Sequence, residues 1–169
     1  MKKKVFLLMA FLLAVVAVRA QYIEVFIADN NGPYTNVRDG IKGNIVSKIP
    51  VDENIMLYVE SPKNGWWRIC DDEYWNPDGD TFSLTGSRKG YWIHSSVIGV
   101  STRNYGGEKL CLMERPSAKS KVVYTFTEEI LLHPVDIMGD WVKVKTADGK
   151  HVGWILGEWL CGNSVTNCC

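Results

Sequence analysis

Gly65-Trp66-Trp67-Arg68-Ile69 and Asp140-Trp141-Val142-Lys143-Val144, 75 positions apart, decide how this chain folds. Successive side chains of a β-strand face opposite ways. Val142 and Val144 therefore share a face, and their apolar character makes it the core face. Trp141 and Lys143 point outward. The aligned Trp66 and Arg68 point outward as well, while Trp67 and Ile69 turn in.

The features around these two strands recur in one order. Thr35-Asn36-Val37-Arg38, Ile45-Val46 with Ile49, and Ile55–Val59 precede the first, and Gly90-Tyr91-Trp92-Ile93-His94-Ser95-Ser96-Val97-Ile98 closes that copy. Leu110-Cys111-Leu112-Met113, Val122-Val123 with Phe126, and Ile130–Val135 precede the second, and Gly153-Trp154-Ile155-Leu156-Gly157-Glu158-Trp159-Leu160 closes it. Trp92-Ile93 aligns with Trp154-Ile155. The first copy is longer by an insertion over 71–87. Further strand-like runs are Tyr22–Ala28, Tyr91–His94, Trp141–Thr146 and His151–Ile155. Ser61-Pro62-Lys63-Asn64-Gly65 and Ala147-Asp148-Gly149-Lys150 read as turns. No window after residue 20 shows apolar residues at helical spacing for three turns. The class is all-β, with two small barrels in tandem.

Lys2, Lys3 and Lys4, the apolar run from Val5 to Val18 and the exit Val18-Arg19-Ala20 read as a secretory signal peptide cleaved after Ala20. The run is shorter than the ~20 apolar residues that span a bilayer, so no stable membrane anchor is expected after cleavage. The 169 residues balance 19 basic against 19 acidic groups. Without the leader's four cations, 149 residues carry 15 basic and 19 acidic groups, a net charge of −4. That balance argues against nucleic acid as a partner, because phosphate binding needs a concentrated basic face. Export places Cys70, Cys111, Cys161, Cys168 and Cys169 where disulfides form. Cys168 and Cys169, being adjacent, are poor partners for each other. No pattern of cysteine pairs or convergent histidines points to zinc, and no cofactor is expected.

The pattern resembles the bacterial SH3-like (SH3b) domain, here twice in tandem. The resemblance rests on Asn36-Val37-Arg38, Trp66-Trp67-Arg68-Ile69 and Gly90-Tyr91-Trp92-Ile93, then on Trp141-Val142-Lys143-Val144 and Gly153-Trp154-Ile155. In the second copy Cys111-Leu112-Met113 replaces Asn-Val-Arg. It implies partly open barrels at 21–100 and 109–161, joined by a linker at 101–108 and followed by a cysteine-containing tail at 162–169. It also implies a binding or targeting module for cell-wall peptides of the kind attached to peptidoglycan hydrolases, with no room in the chain for the hydrolase itself. In such a barrel the first and last strands lie near each other, so Cys111 and Cys161 are expected to bridge. Roughly 4 kcal/mol would come from the shortened unfolded chain. Cys70 is then left to pair with Cys168 or Cys169.

The expected ligand-binding residues are Trp66, Arg68, Trp75, Tyr91, Trp92, Trp141, Lys143 and Trp154. An outward indole beside a cation offers contact area and a polar handle to a peptide. The opposing reading has the same tryptophans cap the open barrel ends or cement the two domains, with Trp159 between them. The insertion gathers Asp71, Asp72, Glu73, Asp78 and Asp80 with Tyr74 and Trp75. It reads as a solvated hairpin, with calcium as the competing use of its oxygens. A papain-like enzyme would draw on Cys70 and on His94, His133 or His151. Cys70, however, continues a strand instead of opening a helix, where a catalytic thiol gains its lowered pKa. The expectation is an exported, periplasmic or extracellular, non-catalytic module binding a peptide or cell-envelope component, or else a structural or assembly protein using those surfaces for domain or subunit contacts.

Overall fold

In the computed structural model, residues 21–51 and 55–164 are described. The expected signal peptide at 1–20 and the cysteines 168 and 169 lie outside them. Short β-branched and aromatic runs separated by Gly, Asn and Asp give fifteen strands among the described residues: β1 Tyr22–Ile27, β2 Tyr34–Arg38, β3 Ile45–Pro50, β4 Met56–Lys63, β5 Trp66–Ile69, β6 Glu73–Trp75, β7 Thr81–Ser83, β8 Trp92–His94, β9 Ile98–Thr102, β10 Leu110–Met113, β11 Val122–Phe126, β12 Leu131–Met138, β13 Trp141–Thr146, β14 Val152–Leu156 and β15 Leu160–Cys161. All pairings are antiparallel, and the main path runs β11-β10-β14-β13-β12-β9-β1-β4-β5-β8-β2-β3 without closing on itself. The protein is all-β and built of two partly open barrels.

The duplication is visible in the register. Val25 of β1 faces Leu57 of β4, and Val100 of β9 faces Leu132 of β12. A bulge between Val37 and Arg38 brings Arg38 opposite Trp92, and a bulge between Leu112 and Met113 brings Met113 opposite Trp154. Asn64-Gly65 and Gly139-Asp140 form the two-residue turns leading into β5 and β13. Asn64, Gly65 and Gly139 have φ of 53°, 77° and 59°, the left-handed conformation that tight hairpins demand. The turn read at 61–65 is thus confined to its last two residues, and Ser61 and Pro62 lie in β4 beside a bulge.

One strand belongs to both barrels. β1 pairs with β4 and β9, while β9 pairs with β12 and β15. β9 therefore completes the first barrel and begins the second. The stretch read as a linker contains the end of this strand. Beyond it Asn104 is buried, accepting from Thr102 Oγ1 at 2.8 Å and donating to Thr127 O at 2.6 Å.

The core follows the strand alternation. Trp67 and Ile69 are fully buried, as are Val144 and, within 2%, Val142. The buried side chains of both halves form one continuous cluster. At the seam, Trp67 Nε1 donates to Pro134 O at 3.0 Å and His133 Nδ1 donates to Ile98 O at 2.7 Å. The cementing indole is thus Trp67, the tryptophan the alternation sends inward.

The expected Cys111–Cys161 bridge is absent. Cys161 lies on β15 opposite Ser101 of β9, whereas Cys111 lies on β10 between β11 and β14. Cys111 is a free thiol, its sulfur 3.7 Å from Thr125 Oγ1. Cys161 Sγ lies 3.1 Å from Asn163 O. Cys70 is also free, so its expected pairing with Cys168 or Cys169 does not occur. The expected bridge requires the strand bearing Cys111 to begin the second barrel. That role falls to β9.

Candidate functional site

The outward side chains of the first barrel form a row fixed by register. Arg38 on β2 faces Trp92 on β8, Trp92 faces Arg68 on β5, Arg68 faces Glu60 on β4, and Glu60 faces Tyr22 on β1. Strand pairing alone thus places two guanidiniums on either side of one indole. Arg68 Nη1 lies 3.4 Å from Glu60 Oε1, and the arginine side chain is 49% exposed. An ion pair that open to water is worth about 0–1 kcal/mol, so it leaves the guanidinium free to exchange Glu60 for a ligand carboxylate.

Trp66 adds to this row from the β5 end. It is half-buried, with its ring edge-on to His94 at 5.0 Å between centroids and with Arg38 Cζ 5.8 Å from its centre. Arg38 is anchored by donating to Gly43 O at 2.7 Å. His94 Nδ1 accepts from Ser96 N at 3.3 Å, capping the short turn that follows β8. Burial lowers the His94 pKa below its ordinary 6.5, which keeps the imidazole neutral against the indole at pH 7.

The second barrel repeats the arrangement in a closed form. Met113, Trp154, Lys143 and Asp136 face one another across β10, β14, β13 and β12. Here a buried Met stands where the first barrel has Arg38, and Lys143 Nζ sits 5.9 Å from the Trp154 ring centre. Trp154 is only 7% exposed. Its expected role as a contact residue is corrected, because burial leaves little of the indole to meet a ligand. Trp141 stays half-buried opposite Leu156. Trp159 is partly buried against the core.

Tyr91 is a second correction. It is 2% exposed, and its hydroxyl accepts from Ser87 N at 3.0 Å. Its parity with Ile93 already places it on the core face, and only Trp92 and His94 alternate outward.

The insertion is a hairpin, β6 against β7, hung on the sheet by Trp75 opposite Met56. Its aromatics do not stand alone. Trp75 packs on Tyr58 at 4.8 Å, and Tyr58 meets Tyr22 edge-on at 5.4 Å. Tyr22 is 64% exposed and Tyr58 38%. Tyr22 thus joins the cationic row to an aromatic strip across β1, β4 and β6. Sequence reading named Trp75, Trp66, Arg68 and Trp92, but it missed Arg38, Tyr22 and Tyr58. The available signal was the alternation Tyr22-Glu24-Phe26 and Tyr58-Glu60, which turns those side chains outward. No three metal-ligating side chains converge among the described residues.

Cys70 follows β5 directly. Burial, then Glu60 and Asp71, push its thiol up to about 12. It is protonated at neutral pH and unsuited to nucleophilic attack.

No family model and no curated protein matches this chain. Among solved structures, NlpC1 from Trichomonas vaginalis is similar with a TM-score of 0.32 and 10% identity, over 90% of this chain and 50% of that one. NlpC2 from the same organism has a TM-score of 0.31 and 9% identity, over 83% and 48%. The chain spans about half the length of these two proteins.

Proposed function

We propose that this protein is an exported, non-catalytic binding module of two tandem SH3-like (SH3b) domains that recognises a peptide or a cell-envelope component of the peptidoglycan type. One observation carries the reading: the outward row in which Trp92 stands between Arg38 and Arg68. Flat apolar area flanked by two guanidiniums suits a peptide that presents a carboxylate beside an apolar group. The aromatic strip of Tyr22, Tyr58 and Trp75 extends that surface. Export is inferred from the basic and apolar pattern of residues 1–20. The protonated thiol of Cys70 supports a role without covalent chemistry.

Sedimentation with isolated peptidoglycan tests the proposal. The protein is expected in the pellet, with retention reduced at least tenfold by Arg68→Ala and by Trp92→Ala. Absence of retention counts against wall binding. The second reading, a structural or assembly protein of the envelope, is supported by the inward use of Trp67 and Tyr91, which spend aromatic area on internal contacts.

A further inference from the structure

The sheet path ends in two edge strands, β3 and β11, and each pairs on one side only among the described residues. They are equivalent in the duplication and share a bulge, at Val46 and at Val123. An open edge offers unpaired backbone groups to any other strand, and proteins ordinarily guard it with charge, proline or a covering loop. β3 has all three. Lys48 is exposed in its middle and Pro50 ends it. Gly86, in the loop after β7, lies so close that a Cβ there would sit 2.8 Å from Val46 O.

β11 has none of them. Val122-Val123-Tyr124-Thr125-Phe126 contains no charge, proline or glycine, and β-branched and aromatic residues are those that suit a strand best. Val122 is 45% exposed and Val123 37%. Glu114 N donates to Lys121 O at 2.8 Å, so Lys121 turns its backbone groups toward β10 and the next residue, Val122, turns its own away. Charge is placed just outside the strand instead, and sorted by sign. Lys119 and Lys121 precede it, Glu128 and Glu129 follow it, and all four are exposed. None of the four forms an ion pair with another described residue.

That order is self-complementary. When two copies of the strand lie antiparallel about a two-fold axis, residues before the strand in one copy come level with residues after it in the other. Lys119 and Lys121 then meet Glu128 and Glu129 twice, once at each end, while the uncharged middle pairs with itself. A parallel arrangement would set like charges together. We propose that β11 is the interface of a homodimer, in which the β11 strands of two copies pair antiparallel and join their sheets. Arg38, Trp92 and Arg68 lie on β2, β8 and β5, toward the opposite end of the sheet path, so the contact does not use the row proposed to bind the wall.

Sedimentation equilibrium of the chain as exported, residues 21–169, tests the assignment. A mass of two chains is expected at micromolar concentration, and Val122→Lys is expected to weaken association by about tenfold or more. Its circular dichroism should be unchanged, because the side chain is exposed. Two charge-reversed variants add a second measurement. Lys119→Glu with Lys121→Glu, and Glu128→Lys with Glu129→Lys, each set like charges at both ends and should be monomeric alone. Mixed in equal amounts, they should form a heterodimer. Arg68→Ala should dimerise as the native chain does. A native chain that stays monomeric overturns the proposal. So does a dimer indifferent to Val122→Lys, a dimer lost in Arg68→Ala, or a mixture of the charge-reversed variants that fails to associate.

Discussion

Cys70 and His94 show how position sets the chemistry of a single side chain. Cys70 ends a core strand beside Glu60 and Asp71, and its thiol is pushed up to about 12. At pH 8 its thiolate population falls on the order of a thousandfold below that of an ordinary cysteine. Alkylation by iodoacetamide, followed by peptide mass mapping, is expected to be slower at Cys70 by two to three orders of magnitude than at a free thiol of ordinary pKa. His94 carries a pKa lowered by burial, so the folded chain holds that proton less tightly than the unfolded chain does. The stability this adds is present above the ordinary value of 6.5 and is lost as pH falls below it. A melting-temperature profile should decline on acidification through that region, and His94→Gln should flatten the decline. A profile identical in the variant would exclude His94 as its source.

Among the elements, β5 and β13 were fully legible in the sequence, because each alternates apolar and polar residues between a turn and a bulge-bearing neighbour. The β6–β7 hairpin was legible too, through its Asn, Asp and Gly tip. β9 was not. Ile98-Gly99-Val100-Ser101-Thr102 contains a glycine and two small polar residues, and its partners, β1, β12 and β15, are all distant in sequence. Only the folded register shows that Gly99 is required there. A Cβ at that position would lie 2.5 Å from Leu131 Cδ1 and 3.0 Å from both Ala28 Cβ and Phe26 Cε2. The misplaced disulfide and the linker assigned to 101–108 both follow from missing this strand. The seam was likewise hidden, since the acceptor of the Trp67 indole is a backbone carbonyl with no side-chain signature. Trp67→Phe keeps the apolar body but leaves the buried Pro134 carbonyl without its donor. The expected loss is about 1–3 kcal/mol in urea unfolding. An unchanged midpoint would show that the hydrogen bond contributes nothing to joining the halves.

At the scale of the whole molecule, the two barrels have one core and a common strand, so neither is a complete unit by itself. Thermal unfolding followed by far-ultraviolet and tryptophan signals is expected to give one coincident transition, and two separated transitions would contradict that coupling. The candidate binding face was partly legible because strand parity exposes Trp66, Arg68 and Trp92. The shared strand also bears on descent. After a duplication, paired domains ordinarily diverge separately, each accepting changes the other never experiences. Here every substitution in β9 is judged by two barrels at once, while β3 and β11, at the far ends of the sheet path, answer to one. Divergence between the copies is therefore expected to be least where they overlap and greatest at the two outer ends.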